Sequence, residues 1–90
     1  MIEFSPQVIL SEIDNEMVLL DSKSGKYFGL NPTATRMVQE LQKNKDPAAV
    51  ASLLAQEYKV EVQRIRQDLD RLLQQLHDKG LVSLKPWETG

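Results

Sequence analysis

Short apolar runs broken by polar turns fill the first third of the chain, and this pattern predicts a small antiparallel sheet. Residues 8–13 and 17–20, rich in Val, Ile and Leu, flank Asp14-Asn15, whose short polar side chains tolerate tight-turn geometry. The next polar break ends in Gly25, where a hairpin commonly needs a positive φ. Residues 26–30 then form a third strand. The pattern therefore indicates a three-stranded meander whose last strand lies at a sheet edge.

From Asn31 onward the apolar period becomes helical. Asn31 can cap a helix that has Pro32 at its first position, where the missing N–H is no loss, and Asp46-Pro47 repeats this pattern. The second helix ends near Tyr58, and the third, the longest, runs from about 61 to 79 before Gly80. The apolar positions that indicate the three helices are Ala34, Met37, Val38 and Leu41; Val50, Leu53 and Leu54; and Val62, Ile65, Leu69, Leu72, Leu73 and Leu76.

These elements predict an α+β, winged helix-turn-helix-like fold: a three-stranded antiparallel sheet followed by three helices. Residues 81–84 either form a short terminal strand or pack on the core. With 90 residues, the sequence predicts one domain over 1–90, with its core at about 8–84 and a tail at 85–90. Such a chain is too short for a core plus an elaborate catalytic cleft.

Charge and composition narrow the functional classes. The net charge of -2 gives no global attraction for nucleic acid, and the absence of cysteine excludes disulfides and thiolate metal sites. The third helix is neutral, with Arg64–Asp68 and Arg66–Asp70 at ion-pair spacing, whereas a DNA-reading helix should carry a basic surplus. A winged-helix DNA-binding regulator is therefore a weakly supported alternative. The charged residues of this helix are Glu61, Asp68, Asp70 and Asp78, and Arg64, Arg66, Arg71 and Lys79.

No catalytic, metal or cofactor site is predicted. His77 is the sole histidine and is expected on the surface near the end of the third helix, since metal sites ordinarily need three or four ligands. No apolar run reaches the ~20 residues that span a bilayer, and the N-terminus lacks a signal-peptide pattern. We therefore expect a cytoplasmic protein with no membrane partner, whose function lies in a surface for another protein.

The third strand and the third helix form the predicted surface. Strand alternation places Lys26, Phe28 and Leu30 on one face, and Tyr27 and Gly29 on the other. An edge strand can bind an extended peptide as an additional strand. For Phe28, core packing is the expected role. Gly29 indicates either a bulge or bend, or close approach by another backbone.

The third helix can supply the floor of such a groove. Its apolar stripe is either wholly buried or broad enough for Leu69 or Leu72 to line the groove, with Asp68, Arg71 and Gln75 beside Leu72. Self-association through the exposed strand edge is a further alternative. The predicted peptide-binding residues are Lys26, Tyr27, Phe28, Gly29, Leu30, Asp68, Leu69, Arg71, Leu72 and Gln75.

The chain resembles the PqqD-like family, also called RiPP recognition elements, over about residues 8–84. The matching segments are 18–21, 25–33, 50–54, 58–60, the helix from 65 to 76, and 80–82. Two positions depart from the family pattern: Ala34 stands where glycine is frequent, and Met37-Val38 where a bulky aromatic is frequent.

The resemblance implies a non-catalytic scaffold. It would bind the leader segment of a ribosomally made precursor peptide as an added strand between the third strand and the third helix. A free-standing chain of this length resembles the version of the family found in lasso-peptide pathways. In those pathways, the partners are a leader-cleaving cysteine protease and an ATP-dependent macrocyclase, both separate chains. The near alternative is the assistant of pyrroloquinoline quinone synthesis, which serves a radical SAM enzyme.

Overall fold

Two antiparallel sheets and three helices make up the computed structural model, which describes residues 2–44 and 46–84. The predicted three-stranded sheet followed by three helices is confirmed. The elements in chain order are β1 (Ile2–Phe4), β2 (Val8–Ile13), β3 (Glu16–Asp21), β4 (Tyr27–Leu30), α1 (Pro32–Asn44), α2 (Pro47–Tyr58), α3 (Val62–Asp78) and β5 (Val82–Leu84).

The main sheet has the order β2-β3-β4, with every neighbouring pair antiparallel. Asp14 and Asn15 both have positive φ, 51° and 67°, as a two-residue hairpin loop with the right-handed strand twist requires. Gly25, with φ 76°, ends the second turn as predicted. β4 begins at Tyr27, one residue later than the sequence indicated.

A second sheet joins the two ends of the described chain. β1 pairs with β5 from Ile2↔Leu84 to Phe4↔Val82, so the strand alternative for residues 81–84 is the one observed. The pairing is extended by Ser5, whose N–H donates to the carbonyl of Leu81 at 2.9 Å. β1 was not predicted from the sequence.

The predicted helix ends are confirmed by their caps. The Oδ1 atom of Asn31 accepts the N–H of Ala34 at 2.8 Å, and Asp46 caps α2 in the same manner. Gly80, at φ 73°, terminates α3 in a Schellman motif, in which the N–H of Leu81 donates to the carbonyl of Leu76 at 2.9 Å.

The core lies between the inner face of the main sheet and the three helices. Met17, Leu19 and Leu30 point inward from β3 and β4, and the predicted stripe of α3 is buried from Ile65 to Leu76. Leu53 and Val62, two of the apolar positions that indicated α2 and α3, are exposed. The largest fully buried side chains are Leu19, Met37, Leu41, Leu54, Leu69 and Leu76, followed by Val38, Val50 and Thr35.

Thr35 is a buried polar side chain that ties α1 to the end of the β3–β4 ladder. Its Oγ1 accepts the N–H of Met17 at 2.9 Å and lies 3.4 Å from the carbonyl of Leu30, to which it donates. The hydroxyl thus bridges the paired residues Met17 and Leu30, and only 1% of Thr35 is exposed. A buried backbone donor left without a partner costs about 1–3 kcal/mol, so this bridge stabilises the junction of β4 and α1.

Replacing Thr35 by valine keeps the side-chain shape and removes the hydroxyl. We expect Thr35→Val to lower the free energy of unfolding by about 1–3 kcal/mol, because the N–H of Met17 is left buried and unpaired. Urea denaturation followed by circular dichroism measures the change. Thr33→Val, an exposed threonine of the same helix, is the matched control. Equal stability of the two variants would contradict the bridging role.

An ion-pair network joins α1 to α2. Arg36 binds Glu57 through two nitrogens, with Nε donating to Oε2 at 2.9 Å, and its Nη1 donates to Glu40 at 2.9 Å. Lys43 adds a longer contact to Glu40. Hydrogen bonding from Arg36 is the main cause that holds the pKa of both carboxyls below their ordinary values. The folded state therefore favours the ionised form of Glu40 and Glu57.

Because these two pKa values are lower in the folded chain, the associated stability is present at neutral pH and is lost as the pH falls through the lowered values. We expect wild-type protein to lose stability between about pH 5 and pH 3, and Arg36→Met to lose less over the same interval. Urea denaturation across this range measures both slopes. Parallel slopes would show that Arg36 does not couple to these carboxyls.

Candidate functional site

The outer edge of β4 is unpaired among the residues that the structure describes. β4 bonds to β3 on one side only, and the terminal strand β5 pairs with β1 instead. The N–H of Asp21 donates to the carbonyl of Lys26 at 2.8 Å. This bond identifies which opposite residues of β3 and β4 form hydrogen-bonded pairs. Since bonded pairs alternate along antiparallel strands, Phe28 pairs toward β3, while the N–H and C=O groups of Tyr27 and Gly29 point to the open edge.

Side chains along β4 alternate as predicted. Tyr27 is 75% exposed on the outer face, together with Gly29, whereas Phe28 packs partly buried against the core, its expected role. The side chain of Leu30 is 5% exposed and packs in the core, and its carbonyl accepts from Thr35, so this predicted contact residue has no side-chain surface in the groove.

The described part of the fold does not require glycine at position 29. The pairing from Leu20↔Tyr27 to Met17↔Leu30 is continuous, which excludes the bulge alternative. A Cβ atom built on Gly29 would meet no atom within 4 Å. The fold itself would therefore accept a side chain here, on the outer face beside the open edge.

Two pockets lie near the two ends of β4, the first against α3 and the second beside Lys79, the residue that follows α3. We call the surface formed by the outer edge of β4 and these two pockets the β4–α3 groove. Its first pocket, of about 330 Å³, lies where β4 leads into α1, and its second, of about 230 Å³, lies at the opposite end of β4. The first is lined by Asn31, Thr33, Ala34, Met37, Asp68, Arg71, Leu72 and Gln75, and the second by Asp21, Ser24, Lys26, Tyr27, Phe28, Lys79 and Leu81.

The first pocket has an apolar floor and a charge-balanced rim. Leu72, 7% exposed, belongs both to the core and to the pocket, whereas the predicted groove residue Leu69 is fully buried at 0% and contacts only the core. At the rim, Nη1 of Arg71 donates to Asp68 at 3.3 Å. The expected Arg64–Asp68 pair is replaced by this Asp68–Arg71 pair, while the expected Arg66–Asp70 pair is present.

The second pocket is framed by an aromatic ring and two lysines. Nζ of Lys79 lies 5.4 Å from the centre of the Phe28 ring, within the range of a cation–π contact, and Lys26 lines the same pocket. Lys79 was not among the predicted contact residues, because the prediction followed the apolar stripe of α3 and stopped at Gln75. Asn31 and Thr33 were also missed, although they directly follow β4 in the chain and line the first pocket.

The size of the pockets limits what they can bind. Small-molecule sites typically occupy about 300–1,000 Å³ of enclosed space, and these two open pockets lie at or below the lower limit. They suit single side chains that project from an extended backbone. Seven of the ten predicted contact residues line one of the pockets, and Gly29 lies between them on β4; Leu30 and Leu69 belong to the core.

The described part of the chain has no group of three or more acidic or histidine side chains that could hold a metal ion. His77 is exposed, and its Nδ1 atom lies 3.9 Å from Oδ1 of Asp78. Within residues 2–44 and 46–84, no helix has the length and apolar character needed to cross a membrane.

Comparisons with known proteins identify the family and the fold of the chain. The family model described as coenzyme PQQ synthesis protein D (PqqD) matches residues 16–82. A solved structure of TbiB1 in complex with the TbiA(beta) leader peptide has a TM-score of 0.86 and 31% identity, covering 93% of this chain and 98% of that one. A lasso peptide synthetase B1 complexed with the leader peptide has a TM-score of 0.85 and 36% identity, covering 92% and 98%. No curated protein matched the chain.

Proposed function

We propose that this chain, which belongs to the PqqD family, recognises the leader segment of a ribosomally synthesised precursor peptide, in a lasso-peptide pathway, by β-strand addition to β4. The observation that carries the proposal is the open edge of β4, where Tyr27 and Gly29 direct backbone donors and acceptors into a groove with a side-chain pocket at each end. The two similar solved structures are complexes with leader peptides, which supports leader recognition as the function.

In this binding mode, backbone pairing supplies affinity and the side-chain pockets supply specificity. The guest forms a fourth strand next to β4, and its main chain bonds to Tyr27 and Gly29 whatever its sequence. Alternate guest side chains face the helices, where the two pockets receive them. The main-chain N–H and C=O of Gly29 contribute to the backbone pairing, and a Cβ atom at this position would meet no atom within 4 Å.

The modifying steps belong to partner chains in this proposal. The bound leader presents its core segment to a leader-cleaving cysteine protease and an ATP-dependent macrocyclase, while this protein acts in the cytoplasm without catalytic groups of its own. The description of the matching family model favours a second candidate, an assistant of pyrroloquinoline quinone synthesis that serves a radical SAM enzyme. The 36% identity to a lasso peptide synthetase B1, over 92% of this chain, favours the first.

A proline at position 29 tests the proposed edge. Proline is tolerated in an edge strand where the N–H faces away from the sheet, so Gly29→Pro should leave the fold intact and remove one outward donor. We expect leader binding to weaken about tenfold or more, because a hydrogen bond worth ~0.5–1.5 kcal/mol is lost and the ring blocks the approach of the guest. Fluorescence anisotropy with two labelled peptides measures it: the leader encoded beside the gene, and the TbiA(beta) leader.

Two matched variants control this experiment. Gly29→Ala keeps the N–H and should bind within about twofold of wild type, since its Cβ meets open space. Glu12→Pro removes an outward N–H from the opposite edge of the sheet, because Ser22 bonds to Gln7 and places the odd-numbered residues of β2 toward β3. Full binding by Gly29→Pro, or equal loss in Glu12→Pro, would contradict strand addition to β4.

The same samples separate the other candidate functions. A DNA-binding regulator would bind a duplex with an affinity that falls steeply with salt, and the balanced charges of α3 argue against it. Self-association through the open edge would appear as a mass that rises with protein concentration, and would be lost in Gly29→Pro. Absence of binding to either leader peptide, together with duplex binding, would overturn the proposed function.

A further inference from the structure

The two ends of the β4–α3 groove differ in charge. In the first pocket, Asp68 and Arg71 neutralise one another at 3.3 Å. The second pocket has two lysines, Lys26 and Lys79, against the single carboxylate of Asp21. A local positive charge is therefore present at one end of a groove on a chain whose net charge is -2.

The carboxylate of Asp21 is already engaged. Its Oδ1 accepts the backbone N–H of Lys23 at 3.0 Å in the turn before β4, and its own N–H is bonded to the carbonyl of Lys26. Neither lysine of the pocket forms a salt bridge within the described part of the chain. Both ammonium groups can thus donate hydrogen bonds to a bound anion without first breaking an ion pair.

Lys79 is also held in place. Its Nζ lies 5.4 Å from the centre of the Phe28 ring, which positions the charge above the inner face of β4. The carbonyls of Leu76 and His77 at the end of α3 are satisfied by the N–H groups of Leu81 and Gly80, so the helix end offers fewer free acceptors to compete for the lysine. A bound carboxylate therefore meets a prepositioned cation.

From this arrangement we infer that the second pocket is a carboxylate subsite, and that Lys26 and Lys79 select guests with an Asp or Glu side chain at this position. The inference rests on the proposed strand addition and adds a specificity rule to it. The two pockets lie at opposite ends of β4, whose residues span about 13 Å. Because side chains on one face recur every second residue, the acidic residue should lie an even number of residues, about four, from the apolar residue in the first pocket.

A displayed peptide library tests the rule and does not require the sequence of the natural leader. Random 12-residue peptides, fused at their C-terminus so that only side chains supply carboxylates, are selected on wild-type protein and on the Lys26→Gln/Lys79→Gln double variant. We expect wild type to enrich Asp or Glu at one fixed even spacing from an apolar residue. The double variant should lose the acidic preference and keep the apolar one.

One enriched peptide then gives the size of the effect. Exposed charge pairs contribute ~0.2–1 kcal/mol each, so Lys26→Gln or Lys79→Gln should weaken binding by up to about fivefold, and changing the acidic residue of the peptide to its amide should have a similar effect. Lys23→Gln removes the same charge from the neighbouring turn, outside the pocket, and should bind as wild type. The lysine effects should shrink as salt is raised.

The outcomes separate this inference from the proposed function. Peptides that bind wild type, fail to bind Gly29→Pro and show no acidic preference would overturn the carboxylate subsite and leave strand addition standing. Equal weakening by Lys23→Gln would also overturn it, since a general charge effect would explain the data. Selected peptides that bind Gly29→Pro as well as wild type would contradict strand addition itself.

Discussion

The pairing register between β3 and β4 is the constraint on which the rest of the structure depends. The bond from Asp21 to Lys26 and the Thr35 bridge between Met17 and Leu30 fix the two ends of the ladder. With both ends fixed, a shift of one residue would expose Leu30 and bury Tyr27, reversing every side chain of β4. The same register decides which backbone groups point away from the sheet.

This register links the core to the candidate site. Leu30 and Phe28 anchor β4 through the face that meets the helices, and the intervening residues Tyr27 and Gly29 leave their main-chain groups at the open edge. An unpaired edge is ordinarily an aggregation hazard, and this one is only four residues long. The geometry thus favours one added strand in a defined position over indefinite edge-to-edge association.

Local signals made much of this architecture predictable. Asn31-Pro32, Asp46-Pro47 and Gly80 each act through bonds within a few residues, so the helix ends could be placed correctly from the sequence. β1 was missed because its three residues are stabilised by pairing with β5, about eighty positions away, and no local pattern encodes that partner.

The candidate site was predictable only in part, for a similar reason. Alternation along a strand distinguishes Phe28 from Tyr27, but periodicity cannot decide how much of a broad helical stripe is covered. Leu69 and Leu72 both fit the stripe of α3, and tertiary packing alone buries the first completely and leaves the second at the pocket floor. Lys79 was overlooked because its position over Phe28 depends on how α3 crosses the sheet.

Amide hydrogen exchange, measured by NMR with and without a bound leader peptide, tests the central claim most directly. Strand addition predicts that the N–H groups of Tyr27 and Gly29 become protected on binding, while those of Leu10 and Glu12 on the opposite edge of the sheet exchange as before. Unchanged exchange at Tyr27 and Gly29 in a saturated complex would contradict the account, whatever the affinity of the peptide.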